Sequence, residues 1–146
     1  MINKMGMVIA ELEKKLKAAG IRAIIRYPEH YGKIGNLYPM AIIKEGNHTH
    51  IIEPGNRYVY WMEVSVSIVG NFTQNRMEQM QKLQVAVFNE LFPDNTMGGL
   101  VMNINPVSVQ TGEIMKGSDL HGYAGFTEAA SFRVINMKIQ VQDARR

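Results

Sequence analysis

The spacing of apolar residues changes period along this chain, and each change marks an element. Ile2, Met5, Ile9, Leu12, Leu16 and Ala19 recur every three or four residues, which predicts an amphipathic helix over residues 3–19 with one buried stripe. Glu11, Glu13, Lys14, Lys15 and Lys17 fall mostly off that stripe. Lysines near the end of the segment suit the helix dipole, and Gly20 is a fitting stop. From Ile21 to Tyr27 the period drops to two, with Pro28 as terminator, so a short strand is expected. Residues 29–37 hold Gly32, Gly35 and Asn36 and read as a loop. A second short strand covers residues 40–44. Residues 46–57 read as a connection, with turn signals at Gly46-Asn47 and Pro54-Gly55-Asn56.

The clearest element follows. Tyr58, Tyr60, Met62, Val64, Val66 and Ile68 alternate with Glu63, Ser65 and Ser67, the pattern of a half-buried antiparallel strand. Its length suits the centre of a sheet or a projecting hairpin arm. Period 3.6 then returns over residues 75–91, where Met80, Leu83, Val87 and Leu91 face the core with Met77 and Phe88 beside them. Asn75 and Glu78 have the layout of a capping box, with Thr73 as the alternative cap. Residues 100–104 and 107–111 look like two short strands separated by Pro106. Residues 112–130, spaced by Gly112, Gly117, Gly122 and Gly125, form a long connection, a feature more often functional or disordered than incidental. The last strand covers residues 132–141, with Ile135, Met137, Ile139 and Val141 on one face. Phe132 and Val134 lie on the other parity, so a bulge or two-sided burial is expected near Val134.

With the two pieces around Pro106 counted together, the order α-β-β-β-α-β-β predicts an α+β fold, with two helices packed on one face of a mixed, mainly antiparallel sheet. At 146 residues one domain spans the chain, long enough to bury roughly two-thirds of its unfolded surface. No apolar run approaches the ~18 residues of a membrane span, and residues 1–10 lack the layout of a secretory signal. With no cysteine, disulfides, thiolate metal sites and cysteine nucleophiles are excluded. The eleven methionines fall mostly at core positions, where packing explains them. Charge is uneven: residues 1–33 carry seven basic and three acidic side chains, whereas residues 77–130 carry two basic and six acidic. Either solvated surfaces fluctuate in sign, or unlike patches attract between copies, as suits a head-to-tail contact that closes into a ring.

No constellation carries chemistry well. His48 and His50 share one face of an extended segment, flanked by Glu45 and Glu53, but a zinc site needs three or four ligands, so an exposed hairpin tip is the better reading. Ser118, Asp119 and His121 are neighbours in one loop, whereas a hydrolytic triad is assembled from separate elements. No phosphate-cradling glycine motif is present. These readings give no catalytic residue, no metal ligand, no cofactor and no enzyme. Arg57, Tyr58, Tyr60 and Trp61 invite a single-stranded nucleic-acid reading. Tyr58 and Tyr60 share the parity of Val64 and Val66, however, so they belong to the core face. Only Trp61, with Val59, sits on the polar parity, either at a subunit contact or under a loop or helix.

Read together, the segments resemble the tail-terminator, or tail-completion, proteins of long-tailed bacteriophages. The likeness rests on an N-terminal helix, a strand ending in Tyr27-Pro28, a second Tyr38-Pro39 leading into MAIIKEG, the long strand YVYWMEVSVSIVG, a helix, a Gly-Gly step into LVMNINPVSVQ, a Gly-rich loop and a final strand. It covers nearly the whole chain without a defining residue signature, and small ferredoxin-like domains share the order. The resemblance implies a mixed α/β subunit in a hexameric ring that caps the tail tube, stops its polymerisation and joins tail to head. It further implies self-association, contacts with a tail-tube protein and a head-completion protein, and a place in the virion tail after assembly in the bacterial cytoplasm. No membrane and no specific nucleic acid enter that picture. An α+β nucleic-acid-binding module is the alternative. Independently of the resemblance, the first helix and the Gly-rich loop are the expected contact surfaces, with Lys14, Lys17, Arg22, Arg57, Trp61, His121, Tyr123 and Phe126 as candidate contact residues.

Overall fold

The computed structural model describes residues 4–26, 37–53, 57–120, 126 and 128–144, with residues 51–53, 57, 143 and 144 as backbone only. The described elements are α1 (Lys4–Ala18), β1 (Ala23–Ile25), β2 (Met40–Glu53), β3 (Arg57–Gly70), α2 (Arg76–Leu91), β4 (Asn103–Ile114) and β5 (Ala130–Ala144). The five strands form one sheet in the order β1-β2-β3-β5-β4. Only β1 and β2 are parallel; the other three pairs are antiparallel. This is the expected α+β architecture, with β3 at the centre.

Both helices cover one face. α1 buries Val8, Ile9, Leu12 and Leu16, and α2 buries Met80, Leu83, Val87 and Leu91. These meet Tyr60, Met62, Val64, Val66 and Ile68 of β3 and Ile135, Met137, Ile139 and Val141 of β5 in one cluster. The 3.6 period of the helices and the period of two in the strands thus converge on a single interface. On the far face, Ile25, Met40, Ile42, Val69, Ile114 and Ala130 form a second, smaller cluster at one end of the sheet, roofed by Phe126. Burial on both parities of β5 accounts for Val134: it is buried on the far face while Ile135 is buried beneath the helices. The pairing of β3 with β5 runs without a register shift.

Several boundaries differ from the sequence reading. Gly46-Asn47 is not a turn. It falls in a register shift between Glu45 and His48, and the strand resumes to pair with β3 up to Glu53 opposite Arg57. A bulge and a turn share the same residue chemistry, and the length of β3 decides between them. Residues 103–114 form one strand across Pro106, with a shift between Pro106 and Ser108 instead of a break. Proline is tolerated because β4 is an edge strand. Gly112 therefore lies in a strand, where a Cβ would come within 2.6 Å of the Phe132 ring. The capping box does not form: Asn75 is left-handed, at φ 50, and makes no side-chain cap hydrogen bond. Met77 is 72% exposed and does not join the core. The loop expected at residues 29–37 falls almost wholly outside the described residues, as does part of the Gly-spaced connection.

Candidate functional site

The half of the far face that the second cluster leaves open is polar. Trp61 lies opposite Thr49 and Gln140, Glu63 opposite Lys138, and Ser65 opposite Lys44 and Asn136. Ser65 Oγ donates to Asn136 Oδ1 at 2.7 Å, and Asn136 Nδ2 donates to Ser108 Oγ at 3.1 Å. Asn103 Nδ2 donates to Asn105 Oδ1 at 2.9 Å and accepts, at Oδ1, from Asn95 Nδ2 at 2.7 Å. Trp61 is half-buried and lines a shallow groove with Thr49, Glu63, Asn105 and Lys138. These groups largely satisfy one another across the strands, as a solvated antiparallel face does.

On the opposite face, near the far ends of β2 and β3, four rings meet. His48 stacks on Tyr60 with centroids 6.0 Å apart, and His50 stacks on Tyr58 at 5.2 Å. The Tyr58 hydroxyl pairs with His50 Nδ1. Tyr60 is 2% exposed and belongs to the core, in agreement with its parity. His48 Nε2 lies 3.7 Å from Glu45 Oε2. Among the described residues no group of three or more His, Asp or Glu side chains is placed to hold a metal ion. The histidines here pack as rings on tyrosines at the edge of the core.

The described candidate contact residues lie on different elements. Lys14, Lys17 and Arg22 are exposed. Lys17 pairs with Glu13 at 3.4 Å, and Arg26 pairs with the same carboxylate. Phe126 is 2% exposed and forms part of the second cluster: an apolar ring beside an open sheet face buries itself against it. Arg57 is described only as the first backbone position of β3, and His121 and Tyr123 lie outside the described residues. The acid-rich segment is not one patch either. Glu78 pairs with Lys82 on α2, Glu113 lies 3.8 Å from Arg76, and Glu128 accepts from Asn71. Asp94, beyond α2, accepts at Oδ1 from the Thr96 hydroxyl at 2.7 Å and the Thr96 N–H at 3.1 Å, and at Oδ2 from the Gly98 N–H at 2.8 Å. The Thr96 hydroxyl, then the Gly98 and Thr96 amides, hold its carboxyl below the usual 3.8.

What the sequence reading missed is the pair of sheet edges. β1 pairs only with residues 40–42 of β2, so among the described residues positions 43–53 have no strand on their outer side. β4 likewise has none beyond it. Such edges present rows of backbone donors and acceptors to any further strand. The signal for them was partial: residues 107–111 read as a strand, whereas residues 46–57, polar and bounded by turn residues, read as a connection. No helix among the described residues is long and apolar enough to cross a membrane. No family model matches this chain, and no curated protein matches it.

Proposed function

We propose that this chain is a structural subunit that closes into a ring, and that the ring caps a phage tail tube, stops its polymerisation and joins tail to head. The phage role comes from the sequence resemblance, and the partners it implies are a tail-tube protein and a head-completion protein. The observation that carries self-association is that one sheet ends on two edges with no further strand among the described residues. Unlike edges on one molecule favour head-to-tail contacts, and these close into rings when the rotation allows. The alternative of a single-stranded nucleic-acid module has less support from the two tyrosines. Tyr60 is in the core, and Tyr58 is stacked on and bonded to His50, so neither ring is free to receive a base.

The test is sedimentation and negative-stain imaging of the purified chain, alone and with tail-tube protein of the same phage. Ring-shaped particles, and tubes that stop growing when the chain is added, are the expected results. A monomer at high concentration that leaves tube growth unchanged refutes the reading.

A further inference from the structure

We infer that copies of this chain join by antiparallel strand pairing between residues 108–114 of β4 in one copy and residues 48–53 of β2 in the next. The inference rests on the ring reading above and names its contact. Direction comes first. β3 runs against β2, β5 against β3, and β4 against β5, so β4 runs opposite to β2. A sheet continued into the next copy with the same face outward brings these two edges together antiparallel, the slightly stronger pairing.

Each edge is closed or blunted over part of its length. On β4, Pro106 supplies no N–H, and the register shifts before Ser108. On β2, β1 occupies residues 40–42, and the register shifts between Glu45 and His48. The regular stretches that remain are 108–114 and 48–53, which are nearly equal in length. They lie at opposite ends of the sheet, so joining them displaces neighbours along the strand direction. Closed sheets require such a stagger.

Side-chain parity fixes a register. His48 and His50 lie on the helix-bearing face with Tyr60 and Tyr58. Thr111 and Glu113 lie on that same face, opposite Arg133 and Ser131. Placing Glu113 opposite His48 puts Thr111 opposite His50 and Gly112 opposite Thr49. A carboxylate then faces an imidazole, and no like charges meet among these pairs. A slip of one residue moves Glu113 to the other face from the histidines. In this register the turn after β4, with exposed Lys116 and Asp119, runs along the open edge of β2 towards β1, which is flanked by Arg22 and Arg26.

The chain has no cysteine, so an introduced pair reports on this contact alone. His50→Cys and Thr111→Cys are combined in one chain, oxidised, and read on a non-reducing gel beside sedimentation. Directly opposed strand positions are close enough for a disulfide. The expected result is a reducible ladder of covalent multimers, at least about ten-fold above either single variant, because a head-to-tail contact sets position 50 against 111 and neither against itself. His48→Cys with Glu113→Cys tests the same register, so one misfolded double variant does not shield the proposal. Assembled particles without a ladder from either pair overturn this contact and leave the ring reading standing. Monomeric unsubstituted protein at high concentration overturns both. Covalent dimers from the single variants also overturn it, because they require a two-fold contact.

Discussion

At the scale of residues, backbone geometry and parity decide more here than residue type. The period of two in β3 places Tyr60 in the core and Trp61 on the open face, and adjacent aromatic residues acquire different roles. Asp94 shows the same dependence on place. Its carboxylate organises the turn in which Met97, Gly98 and Gly99 all have positive φ. Its folded pKa is depressed, chiefly by the Thr96 hydroxyl. A depressed value means that the unfolded chain takes up the proton first as pH falls. The stabilisation is therefore present above the unfolded value of about 3.9 and is lost as pH falls through the lower folded value. Asp94→Ala should be less stable than the unsubstituted chain at pH near 7, and the gap should narrow below pH of about 4. Urea unfolding at the two pH values checks this, and a gap independent of pH contradicts it.

Among the elements, both helices were legible because each carries a long 3.6-residue pattern, and β3 because its alternation runs for a dozen positions. Even so, the stripe of α1 includes Val8, which the sequence reading left out, and that of α2 excludes Met77. The difference is measurable. Leu12 is 0% exposed beneath the sheet-facing side of α1, so Leu12→Ala should cost about 2–5 kcal/mol through lost burial and a cavity. Met77→Ala should stay within about 0.5 kcal/mol, as exposed substitutions do. Equal losses in chemical denaturation for the two variants contradict this assignment of faces. β2 and β4 were read too short for a common reason. Gly46-Asn47 and Pro106 are punctuation in a local window, whereas in the sheet they are irregularities in strands held by partners remote in sequence.

For the molecule as a whole, the sheet edges outweigh the charge pattern. Segments of unlike net charge suggested unlike patches, but folding pairs many of these charges internally, as Lys17 and Arg26 do with Glu13, Lys82 with Glu78, and Arg76 with Glu113. Exposed pairs of this kind add little to stability. Pairing within a segment leaves its net charge unchanged, so salt separates the two kinds of contact: one built on backbone hydrogen bonds should weaken by less than about ten-fold between roughly 0.05 and 0.5 M salt. Sedimentation equilibrium across that range checks it. A steep loss points back to charge patches, and a steep loss of binding to single-stranded nucleic acid points to the alternative function.

The amino-acid sequence alone specified the kind and order of elements, the faces that two helices and the central strand bury, and the lack of any thiol chemistry. Each of these depends on residue identity or on periodicity within a few turns or a single strand. Strand order, the continuity of β2 and β4 through their bulges, the burial of Phe126 and the two edges left open among the described residues were decided only by the tertiary structure. Strand pairing joins positions as distant as Val66 and Ile135, and an edge is defined by which strand is missing beside it, a relation that no local window of residues contains.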